Sequence, residues 1–303
     1  MLGVFVNVLA RGLARLSRPA SLRLGARLGW FSGHVVRYRR ATALAALRRS
    51  LPELSEAEVL ATLDGMYRNL ATNLVEILRA EGGVEDQPAD FFSYDGEERI
   101  AAALARGHGA LILLAHYGSW ELLAMFAAQR GYKLHIVAKK FKNVAVNRLW
   151  NRLRERYGIK VIYAHNAARP VLRALRENAL IGFMLDQHRP RALGKFVTFF
   201  GRPANTSTGL AILSSQAQAP VIPAFIIRRA DGGHQIRVLP LIEPPPDREP
   251  ATVLRYTQRY TTIIENEIRA QPAEWLWIHR RWKTQPQPGD TVATPEPAGR
   301  DPV

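Results

Sequence analysis

The 303-residue chain has no cysteine, which removes disulfides, thiolate metal centres and thiol nucleophiles from consideration. Its histidines offer no pair at zinc-ligand spacing in their place, so no metal is expected. There is no G-x-S-x-G elbow, no P-loop and no complete G-x-G-x-x-G. Serine hydrolase, nucleotide hydrolase and dinucleotide-dependent chemistry therefore lack their sequence signatures. Long apolar runs are missing too. The opening run Leu2 to Ala10 is interrupted by Asn7 and falls short of the roughly 18 residues of a transmembrane helix. No basic residue precedes it and no clear small-residue cleavage site follows it, which argues against a secretory signal.

Acidic residues are absent from the first fifty positions, which carry ten arginines. Residues 51–100 reverse the balance, with three basic residues against twelve acids. The net charge of +16 is therefore unevenly spread. Within residues 1–50, Val4, Phe5, Val8, Leu9, Leu13 and Leu16 recur at helical spacing among arginines, and a second stretch runs from Leu22 to Val36 with Trp30 and Phe31. Such cationic amphipathic helices are expected to lie on an anionic membrane surface, where each basic residue contributes about 1 kcal/mol. A helix that merely covers the rest of the protein is the competing reading. Nucleic acid is not expected as a partner, because the charge comes without an aromatic RNP pattern, zinc-finger spacing or basic-region heptads.

What is present begins with the segment from Leu111 to Glu121, LILLAHYGSWE. The apolar run 110–115 has strand length, Gly118 and Ser119 are turn or cap residues, and 120–130 has helical periodicity. His116 then falls at a strand's carboxyl end, with Glu121 on the first turn of the next helix. In open α/β sheets ligands bind at that end. An imidazole there can take a proton from a substrate hydroxyl while a carboxylate holds its other nitrogen, so His116 and Glu121 are the candidate base and orienter.

Further strands are expected near 133–138, 159–163 and 180–185, alternating with helices near 144–157 and 167–177. Phe196–Phe200, Val221–Ile227 and Gln235–Leu239 add strands, and 55–80, 96–106 and 252–270 add helices. This alternation predicts an α/β fold with a mixed, mainly parallel sheet flanked by helices, preceded by an amphipathic helical segment. The expected division is 1–50 as membrane-associating helices, 51–284 as the α/β domain and 285–303 as a disordered proline-rich tail. On the helix opened by Ser55, with Glu58 completing a capping box, Asn69, Asn73 and Glu76 share a face that is either solvated or lines a substrate entrance. Asp186 ends the run Ile181 to Leu185 and either contacts substrate or anchors a loop. The stretch Thr206–Thr208 caps the apolar helix that follows.

The HYGSWE segment resembles the H-x4-D/E motif of the lysophospholipid acyltransferase superfamily, in the branch of lipid A lauroyl and myristoyl acyltransferases. Gly182–Gln187 (GFMLDQ), Gly194–Gly209 (GKFVTFFGRPANTSTG), Val221–Phe225 and the closing Trp275–Lys283 (WLWIHRRWK) resemble that branch in the same order, covering about residues 1–284. The resemblance implies an O-acyltransferase with His116 as general base and Glu121 as its partner. Asp186 and Arg169 or its neighbour Arg173 are implied as substrate contacts. Arg280, Arg281 and Lys283, around Trp282 of the closing motif, either bind acceptor phosphates or lie along the membrane plane. The resemblance further implies an acyl carrier protein or coenzyme A thioester as co-substrate, no bound cofactor, a lipid A precursor or related glycolipid as acceptor, and a place on the cytoplasmic face of the bacterial inner membrane. No F-P-E-G-T-R-S block is present, which counts against lysophosphatidate as acceptor. The alternatives are an acyltransferase of this fold acting on another membrane lipid, and a non-catalytic basic membrane or nucleic-acid binder.

Overall fold

The computed structural model describes residues 8–80, apart from Leu9, and 91–295. Helices α1 (Arg18–His34), α2 (Arg40–Ser50) and α3 (Glu56–Arg79) come first. Strand β1 (Phe92–Asp95) and helix α4 (Glu98–Leu104) lead into an alternating run. That run is β2 (Ala110–Leu114), α5 (Trp120–Gln129), β3 (Leu134–Ala138), α6 (Val144–Arg156), β4 (Lys160–Tyr163), α7 (Ala168–Arg176) and β5 (Leu180–Met184). Then follow β6 (Lys195–Phe199), β7 (Arg202–Thr206), α8 (Gly209–Ala217), β8 (Val221–Arg228), β9 (His234–Val238), α9 (Pro250–Ala270) and β10 (Val292–Ala293).

Seven strands form one sheet in the order β1-β9-β8-β2-β5-β3-β4, parallel throughout except where β8 meets β9. The mixed, mainly parallel α/β class is thus the one the sequence predicts. Strand β2 is buried along its whole length. Leu111 and Leu113 join the core beneath α7, α8 and α9, while Ala110, Ile112 and Leu114 join the core beneath α4, α5 and α6. Burial on both faces is why the strand reads as a continuous apolar run rather than an alternating one. Because β5 inserts between β2 and β3, the carboxyl ends of β2, β5 and β3 stand side by side. Strands β10, β6 and β7 form a second small sheet.

The capping box at the start of α3 is formed: the Ser55 amide donates to Glu58 Oε2 at 2.8 Å and the Glu58 amide to Ser55 Oγ at 3.4 Å. Helix α1 packs on α3 through a stripe of small residues, Ser21, Gly25, Gly29 and Gly33, all buried. The approach is so close that a Cβ on Gly29 would stand 2.5 Å from the Arg68 Cα, and one on Gly25 2.5 Å from the Thr72 Cα. The basic stretch is therefore seated on the α/β core, as the covering-helix reading requires, yet Trp30, Val35, Val36 and Tyr38 remain more than half exposed.

The expected apolar stretch Val4–Leu16 lies partly outside the described residues; within them Ala10 and Leu13 are buried against the core that holds Ile112. Three elements differ from expectation. Helix α2 and strands β1 and β7 had no distinct periodic signal, β7 because it contains Pro203. The expected disordered tail is corrected over residues 285–295. Val292 pairs with Phe196, Thr198 Oγ1 donates to the Ala293 carbonyl at 2.7 Å, and Arg191 pairs with Asp290. Polar and backbone contacts hold this segment, so its low apolar content gave no sign of order. Residues 296–303 lie outside the described residues.

Candidate active site

The register of the sheet builds the centre of the site. Leu114 on β2 stands opposite Met184 on β5, so two residues further along each chain His116 and Asp186 come together. The His116 ring Nδ1 donates to Asp186 Oδ1 at 2.9 Å, and the His116 amide donates to Asp186 Oδ2 at 3.0 Å. The indole Nε1 of Trp275 donates to the same oxygen at 2.8 Å. Burial works against ionisation of Asp186, but these donors and the His116 imidazole outweigh it and hold the carboxyl down to about 2. An ionised acceptor at Nδ1 fixes the proton there. Nε2 is then the basic nitrogen, and it accepts from the Gln187 side-chain amide at 3.0 Å.

The expected pairing of His116 with Glu121 is not formed and is corrected here. Glu121 turns away on α5 to Arg154 on α6, whose Nε donates to Glu121 Oε2 at 3.0 Å and whose second nitrogen closes a bidentate pair. Both side chains are almost fully buried, and an ion pair so placed costs less than either charge alone. The five-residue spacing puts Glu121 on the far side of the turn, whereas β5 runs directly alongside β2.

The turn itself is clamped. Gly118 has φ +58, and a Cβ there would meet the Ile226 carbonyl oxygen at 1.7 Å, so only glycine fits. The Gly118 amide donates to the Glu274 carbonyl at 3.0 Å, and the Gly118 carbonyl accepts from Asn73 Nδ2 at 2.9 Å. Asn73 Oδ1 in turn accepts from Arg228, which also grips Glu76 through both nitrogens at 2.6 Å. His234 completes this buried group at 3.3 Å from Glu76. Although burial opposes it, His234 and Arg228 hold Glu76 down to about 2. Asn73 and Glu76 are thus structural members of the site, not a solvated face. Glu274 is the opposite case: burial pushes its carboxyl up to about 7, and Asn69 Nδ2 donates to it at 3.0 Å.

The closing motif supports the site from behind. Trp275 bridges Tyr117, and the Leu276 amide donates to the His116 carbonyl at 3.1 Å. His279 Nε2 accepts the His188 amide at 2.9 Å, and burial brings its imidazole down to about 4, so it stays neutral and keeps that lone pair. Arg281, expected at acceptor phosphates or along the membrane plane, is fully buried over the Phe199 ring. It donates to the Asn205 carbonyl at 2.8 Å and to Thr206 Oγ1, so it ties β7 to the closing motif and has no free face for a ligand. Arg280 and Arg169 are exposed and neither lines the groove. Asp186 orients His116 and does not itself reach the groove wall. The expected cap is not formed at the N-cap of α8, where Thr208 makes no side-chain capping bond; the Gly209 amide donates instead to Ser207 Oγ at 3.4 Å.

His116 and Gln187 open onto a groove of about 1180 Å³. Its wall is largely apolar, with Phe31, Leu70, Leu74, Phe183, Met184 and Ile212 among the residues that form it. Ser119 also lines it, with a buried hydroxyl that has no partner among the described residues. Sequence reasoning missed Gln187, Arg154 and the Trp275 indole. Gln187 follows Asp186 directly, but the partners of Arg154 and Trp275 lie far away in sequence and no local signal names them.

His116, held at Nδ1 by Asp186, turns its free nitrogen to an apolar groove at the carboxyl ends of a mainly parallel sheet, an arrangement that suits an O-acyltransferase. The chain belongs to the bacterial lipid A biosynthesis acyltransferase family, whose model matches residues 1–284. It is similar to the lipid A biosynthesis palmitoleoyltransferase of Escherichia coli strain K12, 26% identical over 283 residues, or 90% of this chain and 88% of that protein. It is also similar to the phosphatidylinositol mannoside acyltransferase of Mycobacterium tuberculosis strain CDC 1551 / Oshkosh, 28% identical over 192 residues, or 62% of this chain and 58% of that protein. The crystal structure of a 1-acyl-sn-glycerophosphate acyltransferase from Thermotoga maritima superposes with a TM-score of 0.40 at 12% identity, covering 86% of this chain and all of that one.

Proposed function

We propose that this acyltransferase moves a fatty acyl group from an acyl carrier protein or coenzyme A thioester to a hydroxyl of a lipid A precursor or a related glycolipid, working at an anionic membrane surface. The observation that carries the reading is His116 Nε2 facing the apolar groove while Asp186 holds Nδ1. The acceptor hydroxyl displaces the Gln187 amide from Nε2, gives its proton to the imidazole and attacks the thioester carbonyl. Asp186, ionised and dry, stabilises the imidazolium that forms. The tetrahedral oxyanion has two neutral donors at hand, the released Gln187 amide and the Ser119 hydroxyl. Collapse breaks the carbon–sulfur bond, the leaving thiolate takes the proton back from His116, and the ester remains.

The acceptor class is supported by the lipid A and glycolipid relatives and by the lack of the F-P-E-G-T-R-S block. Membrane attachment is supported by exposed Trp30, Val35 and Tyr38 on and just after α1, with Arg23, Arg27 and Arg37 around them. No helix among the described residues is long and apolar enough to cross a membrane. The test is mass spectrometry of reactions containing anionic bilayers, an acyl carrier protein or coenzyme A donor and an under-acylated lipid A precursor. A gain of one acyl group by the wild type and none by a folded His116→Ala protein is expected. A full gain with His116→Ala refutes the mechanism, and no gain by the wild type with either donor refutes the acceptor.

A further inference from the structure

We infer that Lys139, Lys140 and Arg189 form a phosphate clamp at the mouth of the groove, which binds a phosphate ester carried by one of the two substrates. The source of the phosphate rests on the acyl-transfer reading above; the clamp does not. Strands β3 and β5 are neighbours and end at Ala138 and Met184. The two lysines and the segment Gln187 to Arg189 therefore emerge side by side, next to His116. All three cations line the same groove as His116 and Gln187.

Every other arginine of this groove wall is spent. Arg154 is closed on Glu121, and just behind the wall Arg228 is closed on Glu76 and Asn73. Among the described residues, the charged ends of Lys139, Lys140 and Arg189 have no hydrogen-bond or ion-pair partner. Nor is an acid free to serve them, since Glu121 is held by Arg154 and Asp186 is filled by His116 and Trp275. Arg189 is the sharpest case: its Nε is buried without an acceptor, as are those of Arg228 and Arg281, but unlike theirs its remaining nitrogens are unpaired as well. A donor withdrawn from water and left unmatched is unfavourable until an acceptor arrives.

The Arg189 backbone is also fixed at both ends, its amide donating to the Asn205 carbonyl at 3.2 Å and its carbonyl accepting from Asn205 Nδ2 at 3.1 Å. The side chain thus starts from a pinned position. The local field is positive: burial first, then Arg281, Lys283 and Lys139, hold the neighbouring His188 imidazole below its ordinary value. One planar guanidinium and two ammonium groups around an open space suit the clustered oxygens of a phosphate better than a single carboxylate. Both a phosphopantetheine-type thioester and a phosphorylated glycolipid supply that chemistry within reach of His116.

The experiment has two arms on the full chain. Calorimetric titration with pyrophosphate at low ionic strength is expected to show binding to the wild type and to His116→Ala alike. Arg189→Gln and the pair Lys139→Gln and Lys140→Gln are each expected to lose on the order of tenfold or more in affinity. Pyrophosphate binding that is absent from the wild type, or unaltered in both variants, overturns the clamp. In the second arm, KM is measured for acyl-coenzyme A against the phosphate-free acyl-N-acetylcysteamine thioester, and for acceptor with and without its phosphates. A KM penalty in Arg189→Gln that vanishes with the phosphate-free donor assigns the clamp to the donor, and one that vanishes with the phosphate-free acceptor assigns it to the acceptor. A penalty that persists when both substrates lack phosphate overturns it. A wild type that binds pyrophosphate through these residues but transfers no acyl group keeps the clamp and refutes the proposed function.

Discussion

Replacing Asp186 with Asn keeps the shape of the site and removes its orienting charge. The native carboxylate accepts three hydrogen bonds, from His116 Nδ1, the His116 amide and the Trp275 indole. An amide at this position has one oxygen for three donors and an NH2 that aims a proton at Nδ1. The imidazole then takes the tautomer with hydrogen on Nε2, which cannot accept a proton from the acceptor. The drop of the Asp186 carboxyl from 3.8 to about 2 corresponds to roughly 2 to 3 kcal/mol favouring its ionised form in the fold. Because that value is depressed, the contribution is complete above the ordinary carboxyl range and fades as pH falls through about 2. At neutral pH, Asp186→Asn should therefore lower stability by about that amount, read from urea midpoints. It should also lower kcat by about 10²- to 10⁴-fold, the usual worth of a positioned general base. Adding His116→Ala to it should cost little more, since the two act as one unit. A folded Asp186→Asn protein with near wild-type kcat would refute the reasoning, as would a larger kcat loss in folded Glu121→Gln, which would restore Glu121 as the orienter.

Glu121→Gln is expected instead to act on stability, because Arg154 is left buried and unpaired. A loss of about 3–5 kcal/mol should appear in thermal unfolding and be partly recovered by adding Arg154→Met. For Glu274, whose carboxyl lies at about 7, the folded state binds more protons than the unfolded state between its ordinary value and 7. Stability should accordingly fall as pH rises through that window, and Glu274→Gln should flatten the dependence of Tm on pH. Gly29→Ala pushes a methyl to 2.5 Å from the Arg68 backbone and should cost about 1–3 kcal/mol or more, whereas Gly12→Ala, with open space around it, should be tolerated. Trp30→Ser combined with Tyr38→Ser removes two exposed aromatic rings. If these rings enter the bilayer interface, co-sedimentation with anionic vesicles should drop at least tenfold, since burying each is worth about 1.5–3 kcal/mol; unchanged sedimentation would assign docking elsewhere.

The βαβ run was legible because its central strand β2 is buried along its whole length and its helices are buried on one face, two patterns that a sequence displays openly. His116 at the end of β2 followed from that reading. What Asp186 does there did not, because it depends on which strand lies beside β2 and in what register, and those are properties of the assembled sheet. The same holds for Arg154 and Arg281: each reads locally as one more surface arginine, and only tertiary partners, Glu121 in one case and Asn205 with Thr206 in the other, explain their burial. The glycine stripe of α1 is visible as Gly25, Gly29 and Gly33 at four-residue spacing, but Arg23 and Arg27 around it make the segment read as a charged face rather than a closely packed one.

That stripe has a consequence for how a lipid product leaves. Close contact with α3 fixes α1 so that Leu28 and Phe31 wall the groove while Trp30 on the same helix is exposed. One helix, about 10 Å across, thus separates the reacting chain from the outer surface. Carrying a fatty tail through water costs about 0.8 kcal/mol per methylene, so a dozen methylenes would add on the order of 10 kcal/mol to release. If α1 lies on a bilayer and the groove holds the acyl chain, as proposed above, the tail passes from one apolar phase to the other without being wetted, and that cost does not enter product release.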